Sequence, residues 1–242
     1  MDVIVGKTIG FCFGVKRAVE GAMEIVKNSD EPIYCLGELV HNKEVLKDLE
    51  SKGLKFIDNI FQSKGKTIIR AHGVPKQVYE IAVQTGIKLI DYTCPKVLQI
   101  HDIVYDYAEK GYFILLCGSK QHPEIIGTLS YCGKNVLVIE NEEEALKAVE
   151  IIEKLNVDKC LLITQTTFSL EKFFIIREII CNELPKNVHL VEKNTICQTT
   201  ELRQKETEEI AKKVQYMIII GGKNSSNTKK LYEISSKYCD NC

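Results

Sequence analysis

Residues 160–183 read CLLITQTTFSLEKFFIIREIICNE: a short apolar run, a polar turn and then a long segment with helical periodicity. The same succession recurs along the chain, in VIVGK (3–7) before GVKRAVEGAMEIVKN (14–28), TIIRA (67–71) before PKQVYEIAVQTG (75–86), YFILLC (112–117) before the segment that follows HPE (122–124), and YMIIIGG (216–222) before SNTKKLYEISSKY (226–238). Short apolar runs that alternate with helical segments are typical of parallel sheets covered by helices. The sequence therefore predicts an α/β protein with a strand in each of these runs.

The composition is that of an ordinary globular protein, with 45% apolar and 27% charged residues among 242. A formal net charge of -1 gives no basis for binding a nucleic acid or an anionic membrane surface, so a small substrate fits better. The N-terminus, MDVIVGKTIGFCFGV, has neither the basic region nor the long apolar segment of a secretion signal. Nowhere do about 18 consecutive apolar residues occur, the length that a membrane-spanning helix needs. We therefore expect a cytoplasmic protein that does not span a membrane.

Ten cysteines in a chain without an export signal are expected to be reduced thiols, available as metal ligands or catalytic groups. Four of them stand inside apolar runs and are interpreted as buried structural residues: Cys35, Cys117, Cys160 and Cys181. Cys132 stands in a turn, and Cys239 and Cys242 form a C-terminal pair without the second pair that a zinc site needs. Three cysteines remain as candidate ligands.

These three cysteines each stand at a turn before a predicted helix: Cys12 in GFCFG, Cys94 in DYTCP and Cys197 in NTIC. A helix N-terminus stabilises a thiolate and lowers the pKa of the thiol, which favours metal binding. Three thiolates can bind zinc with an open fourth position, or a cubane iron-sulfur cluster with one iron left without a protein ligand. Such an iron can act as a Lewis acid and pass electrons, whereas zinc passes none.

The cysteines also mark a threefold repeat. A polar loop residue follows each cysteine after 28 or 29 residues, in the order His41, His122 and Ser225. His72 follows Cys12 by 60 residues, and Thr166 follows Cys94 by 72. The repeat predicts three α/β modules around a central metal site, which span residues 1–93, 94–193 and 194–242. Because 45 residues remain after Cys197, we expect the third module to be incomplete and the sequence to be C-terminally truncated.

The loop residues of the repeat are hydrogen-bond donors. His41, His72 and His122 each end or follow a predicted strand, and KNSSN (223–227), which contains Ser225, Ser226 and Asn227, opens the last predicted helix. Together they suit a phosphate or a diphosphate, although each histidine alone is better explained by a structural role, and only their places in the repeat favour a common function. His101 and His189 lack such contexts and are interpreted as structural.

Glu124 is the best candidate for a proton donor. It follows His122 by two residues, at the start of a predicted helix, so its carboxyl group would face the same pocket. The alternative is a glutamate that complements the helix dipole. The polar residues of TQTT (164–167), which include Thr166, can likewise be read as helix caps.

The motifs GFCFGVKRA, ELVHNKEV, AHGV, TCP, HPEIIGT, TQTT, ICQTT and GGKNSSNT occur in this order between residues 3 and 238. Taken together, they closely resemble the 4-hydroxy-3-methylbut-2-enyl diphosphate reductases, the last enzymes of the methylerythritol phosphate route to isoprenoids. The resemblance implies that Cys12, Cys94 and Cys197 hold a 4Fe-4S cluster whose fourth iron binds the substrate hydroxyl.

The same resemblance implies the roles of the polar residues. The diphosphate ligands would be His41, His72, His122, Ser225, Ser226 and Asn227. Thr166 would lie near the substrate, Glu124 would supply protons, and Thr199 and Thr200 would line the pocket. The family's third module continues with two further strands and another serine, which we expect to be missing here.

The implied reaction removes the allylic hydroxyl with two electrons and two protons, and forms isopentenyl and dimethylallyl diphosphate. An external donor resembling ferredoxin or flavodoxin is implied, because GFCFGV lacks the glycine spacing of a dinucleotide fingerprint. Two alternatives remain. An iron-sulfur dehydratase would also use an open iron but needs no net electrons, and an inactive fragment would bind iron-sulfur or zinc without turnover.

Overall fold

The computed structural model describes residues 2–242, which contain two four-stranded parallel sheets. The strands of the first sheet are β1 (Ile33–Leu36), β2 (Leu54–Ile57), β3 (Lys66–Ile69) and β4 (Leu89–Asp91). The strands of the second sheet are β5 (Phe113–Cys117), β6 (Val136–Ile139), β7 (Lys159–Thr164) and β8 (His189–Lys193). The α/β fold predicted from the sequence is therefore confirmed.

Helices connect and flank these strands. In chain order they are α1 (Phe13–Asn28), α2 (Lys43–Ser51), α3 (Lys76–Thr85), α4 (Pro95–Glu109), α5 (Pro123–Leu129), α6 (Glu142–Lys154), α7 (Leu170–Glu183), α8 (Gln198–Ala211) and α9 (Ser226–Ser235), with a 3-10 turn at Ile60–Gln62. Parallel neighbours need a crossover, and most of the crossovers here are helices.

Both sheets have the same strand order. The first runs β2-β1-β3-β4 and the second runs β6-β5-β7-β8. In each sheet the first strand in the chain, β1 or β5, is an inner strand. The second strand, β2 or β6, pairs on one side of it and forms an edge, and the third and fourth strands follow on its other side. Such a reversal creates a crevice at the carboxyl ends of the two inner strands, where α/β proteins commonly bind ligands.

The inner strands are buried on both faces. Along β5, Leu115 packs in a cluster with Ile152 and Ile176, whereas the alternate residues Ile114 and Leu116 pack in a separate cluster on the other side of the sheet. Successive side chains of a strand point to opposite faces, so helices on both sides are needed to cover them. This explains why these strands read as unbroken apolar runs.

Two predicted strands are not formed. Residues 3–7 and 216–220 have no regular structure, and no strand among residues 2–242 pairs with either of them. Their apolar side chains stay exposed, with Val3, Ile218 and Ile220 at 73%, 81% and 92% of full exposure. An extended segment is stable as a strand only when a neighbour takes up its backbone hydrogen bonds, which the apolar pattern alone does not reveal.

Of the four cysteines that the sequence predicts to be buried, three are buried in the structure. Cys35, Cys117 and Cys160 are buried in the sheets, as predicted. Cys181 is exposed on α7, and the prediction that it is buried is wrong. It stands in an apolar run, but its position on the helix directs it away from the core, toward Glu192.

Among residues 2–242, no helix combines the length and the hydropathy that a bilayer crossing requires.

Leu116→Ala should lower the free energy of unfolding by about 2–5 kcal/mol, because it leaves a cavity in a fully buried strand. The same substitution at Leu155, which is 59% exposed, should change it by less than about 0.5 kcal/mol. Denaturant titrations of the two variants measure both values. Equal effects would contradict the two-faced burial of β5.

Candidate active site

The predicted polar residues gather where the inner strands of both sheets end. His41 follows β1 and His72 follows β3, the two inner strands of the first sheet. His122 follows β5 and Thr166 follows β7, the two inner strands of the second sheet. The two crevices of the parallel sheets therefore supply one common set of side chains.

The three histidines form a compact cluster. The rings of His41 and His72 stack with their centroids 4.5 Å apart, and His122 meets them edge-on at 5.8 and 5.3 Å. One ring nitrogen from each lies within 4.8 Å of the other two, a spacing that would allow them to hold either a metal ion or a compact anion. The sequence prediction that these histidines act together is supported by their geometry.

The hydrogen bonds of the rings distinguish between these ligands. Nδ1 of His122 accepts a hydrogen bond of 3.2 Å from the backbone amide of Glu124, so the neutral ring carries its proton on Nε2 and presents a donor. Nδ1 of His41 lies 3.0 Å from a carboxylate oxygen of Glu38. Nε2 of His41 and Nδ1 of His72 are buried without a partner among the described residues. A metal ion needs a lone pair from each ring, so the His122 donor favours an anion.

Two of the histidines, His72 and His122, are kept in their neutral form in the free protein at pH 7. Burial lowers the pKa of His72 well below its usual value, and the neighbouring His41, His122 and Arg70 lower it further. Burial, followed by His41 and Arg70, lowers the pKa of His122 to about 4. An anion that enters the cluster reverses this effect, because negative charge favours the protonated imidazole.

Arg70 is a site residue that the sequence analysis missed. It ends the β3 run two residues before His72, and its guanidinium packs over Gly37, whose φ of +72° and missing side chain make room for it. Burial lowers the pKa of Arg70, while Cys35 and Glu38 oppose the shift. Its Nε is buried without a partner in the described part of the chain. A charged residue that ends the apolar run TIIRA was the signal that could have identified it.

The loop 221–227 contacts the segments that follow one strand of each sheet. The backbone of Gly222 packs against the carbonyl oxygen of His41 so closely that a side-chain carbon at Gly222 would collide with it. At the other end of the loop, the hydroxyl of Ser226 lies 3.5 Å from the carbonyl oxygen of Thr167. The loop therefore contacts the end of β1 and the end of β7.

The same loop contributes further polar groups. Ser225 caps α9, with its hydroxyl accepting from the amide of Thr228 at 3.3 Å. Oδ1 of Asn227 is buried and has no partner within residues 2–242. A buried polar atom without a partner carries a free-energy cost that a bound ligand or water would remove. These two residues and Ser226 follow Gly222, which packs against the backbone of His41, and their role in binding an anion stays a prediction.

Glu124 is the second residue of α5 and is 1% exposed. Its carboxyl oxygens accept two hydrogen bonds from Thr166, one from the amide at 2.7 Å and one from the hydroxyl at 2.6 Å. Burial raises the pKa of Glu124 to about 7, although both of these bonds lower it. A carboxyl group with this pKa is partly protonated at neutral pH, which suits a proton donor better than a residue that merely complements a helix dipole.

Each of the three candidate ligand cysteines immediately precedes a helix, as predicted. Cys12 precedes α1, Cys94 precedes α4 and Cys197 precedes α8. The amide of Cys94 donates to the carbonyl oxygen of Ala71 at 2.9 Å, and the amide of Cys197 donates to that of Thr166 at 2.9 Å. These bonds link Cys94 to the loop that carries His72, and Cys197 to Thr166, which holds the carboxyl group of Glu124.

The pKa of Cys94 differs from the prediction. Burial raises it, the amides of Lys96 and Val97 oppose the shift, and the nearby thiols of Cys12 and Cys197 raise it further. The prediction that a helix N-terminus lowers this pKa is therefore wrong for Cys94, because desolvation outweighs the dipole. The effect of the Cys12 and Cys197 thiols on this pKa indicates that both lie near Cys94.

The surroundings of the thiols fit an iron-sulfur cluster. A side-chain carbon at Gly14 would lie 2.7 Å from the sulfur of Cys94, so the glycine leaves the thiol room. Among the described residues the three thiols do not form a set within 4.8 Å of one another, as the histidines do. Thiolates around a single zinc ion at about 2.3 Å would be closer than this, whereas a larger group needs the wider spacing.

The remaining polar candidates take no evident part. His101 is buried on α4 and stacks on Tyr131 at 4.3 Å, while His189 lies exposed on β8. Neither belongs to the histidine cluster, although His101 packs against Gly73, beside His72, and both of its ring nitrogens are buried without a partner among the described residues. The structural role of the two histidines stays a prediction. Thr200 is buried in the first turn of α8, and Thr199 is partly exposed.

Comparison with known proteins gives consistent relatives. The family model described as LytB protein matches residues 3–242. The 4-hydroxy-3-methylbut-2-enyl diphosphate reductase of Thermoanaerobacter sp. (strain X514) is 40% identical over 246 residues, which cover 100% of this chain and 82% of the relative. The enzyme of the same name from Clostridioides difficile (strain 630) is 39% identical over 236 residues, with 97% and 82% covered.

Solved structures agree with the sequence relatives. The structure of an (E)-4-hydroxy-3-methyl-but-2-enyl diphosphate reductase, the terminal enzyme of the non-mevalonate pathway, matches with a TM-score of 0.73 and 38% identity, over 99% of this chain and 83% of that one. The corresponding reductase of Plasmodium falciparum matches with a TM-score of 0.84 and 35% identity, over 94% and 71%. From the family match and the identity of its relatives, this chain belongs to the LytB protein family.

Proposed function

We propose that this chain is an iron-sulfur oxidoreductase, which converts (E)-4-hydroxy-3-methylbut-2-enyl diphosphate to isopentenyl and dimethylallyl diphosphate in the last step of the methylerythritol phosphate pathway. The observation that carries the proposal is the meeting of three thiols, three histidines and one buried carboxyl group at the ends of two parallel sheets. Each group suits one part of this reaction: the cofactor, the anion and the proton.

The diphosphate binds among donors that the protein holds ready. The residues that contact it are His41, His72, His122, Ser225, Ser226 and Asn227. The Nε2 proton of His122 supplies one hydrogen bond, and the unpartnered Nδ1 of His72 supplies another once the bound anion favours the protonated ring. The positive charge of Arg70 lowers the pKa of His72 and of His122 and attracts an anion to the cluster.

Glu124 delivers a proton to the reacting part of the substrate. Reductive removal of the allylic hydroxyl consumes two electrons and two protons; the oxygen leaves as water and one carbon gains hydrogen. Protonation at either end of the allylic unit gives the two products. Thr166 holds the carboxyl group of Glu124 through two hydrogen bonds and lies near the substrate, so its hydroxyl fixes the direction of proton transfer.

The cofactor is a 4Fe-4S cluster held by Cys12, Cys94 and Cys197. Bound there, it would supply electrons and, at the iron without a protein ligand, a Lewis acid. An external donor of the ferredoxin or flavodoxin type reduces the enzyme, because no dinucleotide fingerprint occurs in the sequence. The chain folds as modules 1–93, 94–193 and 194–242 around this centre, and a reducing cytoplasm keeps its ten cysteines as free thiols.

The test is an anaerobic assay of the cluster-loaded chain with (E)-4-hydroxy-3-methylbut-2-enyl diphosphate and a strong one-electron reductant. We expect both five-carbon diphosphates to form, and Cys197→Ala to abolish cluster assembly and turnover. Turnover that proceeds without any reductant would identify a dehydratase instead. A loaded cluster with no turnover would support the inactive metal-binding fragment.

Glu124→Gln should keep the cluster and lower kcat by about 10²- to 10⁴-fold, because the amide retains the contacts to Thr166 but has no acidic proton. In the unmodified enzyme kcat should fall as the pH rises above about 7, since burial raises the pKa of Glu124 to about 7 and the acid form is the donor. Iron content and the pH dependence of kcat measure these effects. Glu178→Gln, on the exposed face of α7, is the control, and a Glu124 variant of normal activity would remove the proton role.

Binding of inorganic diphosphate should take up a proton at His72. The ring of His72 is neutral in the free protein and its Nδ1 is unpartnered. Because a bound anion raises the pKa of His72, the affinity for diphosphate should increase as the pH falls. Calorimetry in buffers with different ionisation enthalpies gives the number of protons. His72→Asn should reduce the number of protons taken up. His122→Asn should weaken binding but leave the number of protons unchanged, because protonation of Nδ1 in His122 would break its bond to the Glu124 amide. Equal proton numbers in all three proteins would contradict this assignment.

A further inference from the structure

Two arginines each lie on a helix that begins after one of the three candidate ligand cysteines. Each of them binds the chain segment that precedes a different one of these cysteines. Arg17 lies on α1, which begins after Cys12, and its two terminal nitrogens donate to the carbonyl oxygens of Thr93 and Asp91 at 3.1 and 3.2 Å. Thr93 directly precedes Cys94, and Asp91 stands three residues before it. Arg17 thus joins the helix of the first cysteine to the chain at the second.

Arg203 makes the corresponding connection from the third cysteine. It lies on α8, which begins after Cys197, and donates from Nε to the carbonyl oxygen of Thr8 at 2.8 Å and from Nη2 to that of Gly10 at 2.6 Å. These carbonyl groups stand just before Cys12. The helix of the third cysteine is thereby joined to the chain at the first.

A carboxylate on α8 completes this second connection. Glu206 accepts hydrogen bonds from the amides of Lys7 at 2.6 Å and Thr8 at 2.9 Å, and from the Thr8 hydroxyl. Residues 2–11 belong to no helix or strand, so no ladder of backbone bonds holds them. Side chains of α8 are therefore the anchors that fix the approach to Cys12.

Arginine suits this task because its guanidinium is a rigid planar fork. It donates to two acceptors at a fixed separation, whereas lysine offers one flexible ammonium group. In both cases here the guanidinium donates hydrogen bonds to two carbonyl oxygens of one segment. Arg17 is further held by the ring of Tyr92, whose centroid lies 5.6 Å from the guanidinium carbon. The distance between the cysteines is thus set by contacts other than the cluster itself.

We propose that Arg17 and Arg203 are positioning residues that fix the separation of Cys12 from Cys94 and from Cys197, and that they determine how firmly the cluster is retained. This rests on the proposed role of the three cysteines. The arginines touch neither substrate nor cluster and act through the backbone. Groups outside the ligand set commonly orient ligands in this way.

The experiment measures cluster retention in the loaded protein. Arg17→Met and Arg203→Met should lose the visible absorption of the cluster about 10- to 100-fold faster than the unmodified protein when a chelator is added anaerobically. Arg17→Lys and Arg203→Lys should lose it at intermediate rates, because lysine restores the charge without the fork. The reduced cluster should also give an altered electron paramagnetic resonance spectrum in the methionine variants, since the ligand spacing has changed.

Matched controls stand on the same helices. Lys16→Met on α1 and Lys205→Met on α8 remove exposed positive charges that pair with Glu20 and Glu201, and should leave cluster loss unchanged. Thermal unfolding of the cluster-free proteins separates positioning from general stability. Unchanged retention in both arginine variants would overturn the proposal, as would faster loss that tracks an equal drop in the stability of the cluster-free protein. An unmodified protein that binds no cluster would instead refute the proposed function and this inference with it.

Discussion

The site depends on two hydrogen bonds made by the backbone of Thr166. Its amide donates to the carboxyl group of Glu124, and its carbonyl oxygen accepts the amide of Cys197. One peptide segment at the end of β7 therefore fixes both the buried acid and one of the candidate cluster ligands. Because Thr166 makes both bonds with its backbone atoms, the end of β7 holds the Glu124 side chain and the Cys197 backbone at a spacing that the second sheet sets.

The two sheets supply complementary chemistry to the same place. The first contributes stacked imidazoles and the Arg70 charge, which together attract an anion. The second contributes Glu124, held nearly without exposure to water, together with Thr166. The electrostatic environments differ accordingly: burial and nearby positive charge keep His72 and His122 unprotonated, while burial keeps Glu124 partly protonated. Anion recognition and proton donation can therefore coexist within one pocket at the same pH.

The sequence predicted the parts of this arrangement that depend on periodicity and position. The inner strands are buried on both faces, so they appear as continuous apolar runs, and the groups that follow them were found by their place after such runs. Contacts made across the fold were not predictable. Arg70 and Gly37 are far apart in sequence and meet because β1 and β3 are neighbours. The raised pKa of Cys94 reflects burial, and the unformed strands at residues 3–7 and 216–220 reflect missing partners.

The order of strands in the two sheets has a consequence for synthesis on the ribosome. Every strand of the first sheet lies between residues 33 and 91, and every strand of the second between 113 and 193. Each sheet can therefore assemble from a contiguous stretch as soon as that stretch has emerged, without waiting for distant segments. The loop that touches both sheets emerges only with residues 221–227. A nascent chain can thus form both sheets before the loop that contacts the His41 backbone has emerged.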